Sequence, residues 1–168
     1  MAAMPRQHKS PFRLTVVGDI MLGDQPCCYG FGIRSRYEKQ GYEKLVRSSA
    51  INEALQSADL VAGNFEAAYN NNEPMMFQSH RLATSHRGVQ FLRAMGFSLF
   101  SVANNHALEC GKVGLDRLKE AVSAQGMLLV GANGPVQIDA GEYKLTFLGD
   151  STVPDYRTSQ AIWLSTQE

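Results

Sequence analysis

The chain has 168 residues, the length of one ordinary domain, and an apolar share of 44% supplies a core and excludes a disordered chain. Sixteen basic residues cancel sixteen acidic ones, which excludes the charged footprint of a nucleic-acid binder or of an anionic-membrane binder. No apolar run reaches the about 18 residues of a membrane helix, and the first ten residues carry charge without the apolar stretch of a secretory leader.

Residues 1–12 read as a frayed tail, and 13–168 as a single domain. Arg13-Leu-Thr-Val-Val-Gly18 is a β-branched run ending in Gly, the pattern of a first strand. Asp19 stands at its carboxyl end. Residues 25–40 mix Gly, Pro and scattered charge and predict a long loop. Over 42–57 the residues Leu45, Val46, Ile51, Ala54 and Leu55 recur at roughly helical spacing, and Ser48-Ser49 could divide that helix in two. Asp59-Leu-Val-Ala-Gly-Asn64 predicts the next strand, with Glu66 just beyond it. Residues 67–87 are polar and predict an irregular loop. His80 and His86 lie in it as possible ligands, although lone loop histidines are mostly solvated.

A short helix is expected over 88–95, with Val89, Leu92 and Met95 on one side and Gly96 ending it. A buried strand follows over 97–103 and runs into Asn104-Asn105-His106. The clearest helix spans 112–125, where Leu115, Leu118 and Val122 form an apolar stripe and Gly126 fits the position after the cap. A strand at 127–130 and a hairpin of 136–138 with 143–148, joined by a four-residue loop, complete the pattern. The tail 151–168 has no period. Alternating strands and helices imply a layered α/β fold with largely parallel pairing and right-handed crossovers, made mixed by the closing hairpin.

Three strands thus end in polar groups of one kind. Asp19 closes the first, Asn64 and Glu66 the second, and Asn104, Asn105 and His106 the third. Singly, each suits a cap, a turn or a solvated loop. Jointly they point to the carboxyl edge of a parallel sheet, where α/β proteins bind ligands. Carboxylates, amide oxygens and an imidazole are the donors that hard divalent cations take, so a metal or phosphate site is expected there. Other chemistries are weaker. Gly30-Phe-Gly32-Ile-Arg-Ser35 only begins like a dinucleotide fingerprint. Cys110 has no visible activating neighbour. Three cysteines, two of them adjacent as Cys27-Cys28, do not match a zinc site and suit a reducing compartment, so the cytoplasm is expected.

Val17-Gly-Asp-Ile-Met-Leu-Gly23, Gly63-Asn-Phe-Glu66 and Ser101-Val-Ala-Asn-Asn-His-Ala-Leu-Glu109 resemble, in order and spacing, the blocks of the CapA capsule-synthesis family. Its members are also called poly-γ-glutamate biosynthesis proteins and belong to the calcineurin-like metallophosphatase superfamily. The resemblance implies a layered αββα sandwich with a two-metal centre at the sheet edge, the ions being Mn, Zn, Fe or Mg. By motif position Asp19 would bind one metal, Glu66 would stand where the superfamily has a bridging carboxylate, and Asn105 would bind the second. His106 would face the scissile phosphate as acid or charge stabiliser, and Asn64 and Asn104 would orient the ligands. The substrate would be a phosphoester or a capsule polymer. A non-catalytic accessory protein, or an inactive fragment that keeps the fold and half the ligands, is the rival reading.

The chain also departs from that pattern. Met21 stands where the superfamily usually has a metal-binding His, and Asp24 where many relatives have Arg. The four histidines (His8, His80, His86 and His106) all precede residue 107, whereas the family carries further histidine blocks beyond. The chain therefore resembles the N-terminal part of the family domain, with a sheet incomplete at its C-terminal end, and self-association through an open edge is expected.

Overall fold

The computed structural model describes residues 11–24, 32–41, 44, 48–71 and 82–153. In chain order the elements are β1 (Leu14–Asp19), α1 (Ile33–Gln40), α2 (Ser49–Gln56), β2 (Leu60–Asn64), β3 (Ala68–Tyr69), β4 (Ala83–Thr84), α3 (His86–Ala94), β5 (Leu99–Ser101), α4 (Gly111–Ala124), β6 (Leu128–Val130), β7 (Val136–Ala140) and β8 (Tyr143–Phe147).

Four strands form one sheet in the order β1-β2-β5-β6, parallel at every junction. A parallel sheet needs crossovers long enough to return the chain to the same end, and the segments carrying the helices supply them. β2 shows why such a strand reads as a continuous apolar run. Leu60 to Gly63 are all buried, because both faces of the sheet are covered. Val61, Phe100 and Val102 look toward a core that collects Tyr37 of α1, Leu55 of α2, Val89 and Leu92 of α3, and Leu118 and Val122 of α4. Leu60, Ala62, Leu99 and Val130 look the other way, onto Phe12, Val136, Ile138 and Phe147. Helices therefore cover one face and the β7–β8 hairpin covers part of the other, which is the layered α/β sandwich expected. Phe100 is the centre of the helix-side core. Its ring meets Phe65 edge-on at 5.6 Å and stacks on Phe97 at 5.4 Å.

Several elements differ from the sequence reading. The hairpin does not extend the parallel sheet; it stands as a two-stranded antiparallel sheet of its own. Its turn is two residues, not four, since Ala140 pairs with Tyr143. Gly141 takes φ +69° there, the conformation that a two-residue hairpin turn requires of its first residue. Helix α1 replaces part of the long loop expected over 25–40. It carries almost no apolar stripe, so periodicity could not find it. Tertiary contacts hold it instead: the Tyr37 hydroxyl donates to the Leu22 carbonyl at 2.6 Å and Arg34 Nη1 donates to the Ala83 carbonyl at 3.3 Å. The polar stretch after Glu66 likewise conceals a parallel pair, Ala68 with Ala83 and Tyr69 with Thr84. Two residues per strand are too few to show alternation. Of the helix expected over 42–57, the part from Ser49 is α2, with the Ser48 hydroxyl capping its first turn; 42, 43 and 45–47 lie outside the described residues.

Two features aim the carboxyl edge. The register of β1 against β2 slips between Val16 and Asp19, so that Asp19 ends directly opposite Asn64. A bulge is the ordinary way to re-aim a strand-end side chain. Beyond β6, Gly131 adopts φ +91° and lies against the backbone that leads into Asn104. A methyl group on Gly131 would meet Ala103 Cβ at 2.8 Å and its backbone nitrogen at 3.0 Å. Gly131→Ala is therefore expected to destabilise the chain by about 1–3 kcal/mol through overpacking, with added strain from the positive φ. Urea unfolding checks it: an unchanged midpoint would show that this approach does not constrain the edge.

Candidate functional site

The site grows from the ends of β1, β2 and β5. After β2 the chain is tied to both neighbouring strands. The Ile20 amide donates to the Asn64 carbonyl at 2.7 Å, the Phe65 amide to the Ser101 carbonyl at 2.8 Å, and the Glu66 amide to the Ile20 carbonyl at 3.2 Å. These bonds fix where Asn64 and Glu66 stand relative to Asp19. After β5 the chain turns at Asn104 and runs through consecutive turns to Cys110 before α4 begins.

The side chains then form one connected chain of bonds. Asn104 Nδ2 donates to the Phe65 carbonyl at 2.9 Å and to Asn64 Oδ1 at 3.0 Å, while Asn104 Oδ1 accepts from the His106 amide at 3.0 Å. Backbone partners thereby decide which way the Asn104 amide faces, because a carbonyl can only accept and an N–H only donate. That orientation passes to Asn64. Its oxygen must face Asn104, so its nitrogen faces outward, donating to Asp19 Oδ1 at 2.9 Å and to Glu66 Oε2 at 2.5 Å. Two carboxylates thus converge on a single amide nitrogen.

His106 completes the edge. Its Nε2 lies 3.5 Å from Glu66 Oε1 and its Nδ1 lies 2.6 Å from Glu109 Oε1. Three carboxylates and one imidazole gather here, a set that favours a cation or a proton-transferring role over an anion.

Of the residues expected at the site, the structure joins Asp19, Asn64, Glu66, Asn104 and His106 in this network. Asn105 sits half-buried in the same turn, between Asn104 and His106, outside the network. His86 begins α3 and is not part of the cluster; its backbone amide donates to Asn71 Oδ1. His8 and His80 lie outside the described residues. The sequence pattern assigns Glu109 no role, yet it is 3% exposed and grips both His106 and the Leu82 amide, the latter at 2.5 Å. A carboxylate three residues after a candidate histidine was the available signal; the turn between them brings the two side chains together.

Asp24 also acquires a definite place. It is 2% exposed, and its carboxylate accepts from the Ser35 amide and hydroxyl at the start of α1. Gly32, the N-cap, offers no side chain of its own, and its α-carbon lies against the Asp24 carboxylate. The anion-attracting end of that helix is therefore already filled; Gly30 and Phe31 of the glycine-containing segment before it lie outside the described residues.

Hard oxygen donors and an imidazole have the chemistry that suits a divalent ion. Asp19 and Glu66 also face one position, which the Asn64 amide nitrogen fills. Among the described residues no group of three or more His, Cys, Asp and Glu side chains closes round a single point that could hold an ion. The residues fit as a partial ligand set, one that would have to release the Asn64 amide.

A layered α/β protein with its polar constellation at the carboxyl edge of a parallel sheet is the class that fold and site define. The family model described as bacterial capsule synthesis protein PGA_cap matches residues 13–163, and the chain belongs to that family. It is similar to the PGA biosynthesis protein CapA of Bacillus subtilis (strain 168), 29% identical over 118 residues, or 69% of this chain and 29% of the relative. It is also similar to the capsule biosynthesis protein CapA of Bacillus anthracis, 26% identical over 137 residues, or 78% of this chain and 31% of the relative. The chain thus spans about three-tenths of the length of these curated relatives. No helix among the described residues is long and apolar enough to cross a membrane.

The network makes a stability claim. Asn104→Ala would remove one side chain and leave the Phe65 carbonyl, Asn64 Oδ1 and the His106 amide without partners. Each buried group left unpaired costs about 1–3 kcal/mol, so a loss of at least ~2 kcal/mol is expected in chemical unfolding. A loss under ~0.5 kcal/mol, the scale of an ordinary surface change, would show that the amide chain does not hold the edge.

Proposed function

We propose that this chain carries the metallophosphatase-like site of a CapA-type capsule or poly-γ-glutamate biosynthesis protein, a metal-dependent hydrolase site acting on a phosphoester or a capsule polymer. The convergence of Asp19 and Glu66 on one position, with His106 Nε2 3.5 Å from Glu66, carries the reading. Asp19, Glu66 and Asn105 would hold a divalent ion such as Mn, Zn, Fe or Mg, with a second ion as the superfamily pattern suggests. Such ions polarise a phosphoryl oxygen and lower the pKa of bound water. His106 would offer Nε2 to the phosphoryl group or its leaving oxygen, as acid or charge stabiliser. Asn64 and Asn104 would keep the carboxylates and the histidine turn in register.

One observation favours a second reading, a non-catalytic accessory protein. The Asn64 amide already donates to one oxygen of each carboxylate, so a protein donor holds both in place. On either reading Leu14 and Val16, 40% and 66% exposed on the edge strand β1, support self-association of the chain.

Calorimetry with Mn²⁺ or Zn²⁺ is expected to show weak binding, because an amide must be displaced and few donors close round the ion. Asp19→Ala should weaken it at least about tenfold, since loss of even an outer partner costs roughly 10–100-fold. Tight stoichiometric binding that survives Asp19→Ala would show that the ligands lie elsewhere.

Turnover of a generic phosphodiester, if metal supports it, should fall about 10²–10⁴-fold in His106→Ala with KM little changed, the signature of a group acting in the transition state. Metal-dependent turnover that ignores His106→Ala would overturn the role given to that histidine.

A further inference from the structure

Glu109 is the most deeply buried charge-bearing side chain at the edge, with its side chain 1% exposed. It is not among the groups that face the outer position shared by Asp19 and Glu66. Both of its oxygens are engaged. Oε2 accepts from the Leu82 backbone amide at 2.5 Å, and Oε1 lies 2.6 Å from His106 Nδ1. Leu82 is itself buried and opens the chain into β4, where its carbonyl accepts from the Ala68 amide at 2.8 Å. The carboxylate therefore links the turn that carries His106 to the β3–β4 pair.

A carboxylate offers only acceptors. The Leu82 amide can only donate, so it fixes one oxygen. The other oxygen then needs a donor, and the nearest group is Nδ1. A bare nitrogen lone pair there would set two acceptors in contact where water cannot intervene, an arrangement that a low-dielectric site penalises heavily. We propose that Glu109 is a positioning residue: its carboxylate holds the proton of His106 on Nδ1, and Nε2, a looser 3.5 Å from Glu66 Oε1 on a ring that is 25% exposed, carries the lone pair where water can intervene. What that tautomer does for catalysis rests on the hydrolase role proposed for His106, in which Nε2 would have to carry a second proton to serve as acid or charge stabiliser while Nδ1–H stays on Glu109; that Glu109 sets the tautomer does not.

The isosteric variant Glu109→Gln separates this role from simple packing. A glutamine has one acceptor oxygen and one donor NH₂. The Leu82 amide still demands the oxygen. The NH₂ must then face Nδ1, which can receive it only by giving up its own proton. The histidine should switch to the Nε2–H form while the fold persists. Glu109→Asp, which keeps two acceptor oxygens, should retain Nδ1–H.

The test is ¹⁵N NMR of the imidazole in the full chain at about pH 9, well above the ordinary imidazole range near 6.5, with signals assigned by difference against His106→Ala. Nδ1–H as the major form in the wild-type chain and in Glu109→Asp, and Nε2–H as the major form in Glu109→Gln, are expected. Circular dichroism confirms that each variant is folded. Nε2–H as the major wild-type form would overturn the proposal by itself, whether or not the glutamine variant folds. An unchanged Nδ1–H form in a folded Glu109→Gln would overturn it equally. Absence of any phosphodiester turnover, with the tautomer switching as described, would remove the phosphoester reading of the site and leave the positioning role standing.

Discussion

The Asn104 side chain is the interaction on which the rest of this edge depends. Its orientation is dictated by the Phe65 carbonyl and the His106 amide, groups that cannot exchange roles. That orientation sets Asn64, and Asn64 in turn gathers Asp19 and Glu66. Two amides therefore convert a fixed backbone geometry into a fixed arrangement of charges. Asp19 is exposed and Glu66 half-buried, so solvent screens part of the repulsion between the two carboxylates, and the amide protons between them offset more of it. The amide holds the pair at one point, and an ion of the proposed kind would have to displace it to reach both.

The frame makes this possible. Parallel pairing brings the carboxyl ends of β1, β2 and β5 to the same side of the sheet, so residues far apart in sequence become neighbours once the crossovers have returned the chain. The β1 register slip sets Asp19 opposite Asn64. Phe65 lies between the two functional side chains of its loop and buries its ring against Phe100, anchoring that loop to the helix-side core. The site is thus supported from below by packing and from the side by backbone hydrogen bonds. On the helix side of the network, Glu109 provides a second anchor, joining His106 to Leu82.

Much of this was legible in the sequence, for a physical reason. Buried parallel strands must be apolar along their whole length, so Leu60–Asn64 and the run through Phe100 stand out, and the polar residues that interrupt them mark the edge. Helix α4, with Leu115, Leu118 and Val122 buried, shows the stripe that its period predicts. What the sequence does not display is held by contacts across the chain. Helix α1 buries an arginine and a tyrosine through hydrogen bonds and takes its cap from Asp24. The β3–β4 pair is too short to carry a pattern. Glu109 looked like one more charge in a turn, and only the approach of Leu82 from 27 residues away reveals that it is buried and doubly engaged.

The central claim of the proposed function is that Asp19 and Glu66 face one position that a divalent ion would take in exchange for the Asn64 amide. A crystal structure of the chain grown with Mn²⁺ tests it most directly. The account predicts an anomalous peak bonded to carboxylate oxygens of both Asp19 and Glu66, with the Asn64 nitrogen moved away from them. Manganese bound elsewhere, or no peak while Asn64 keeps both carboxylates, would contradict it.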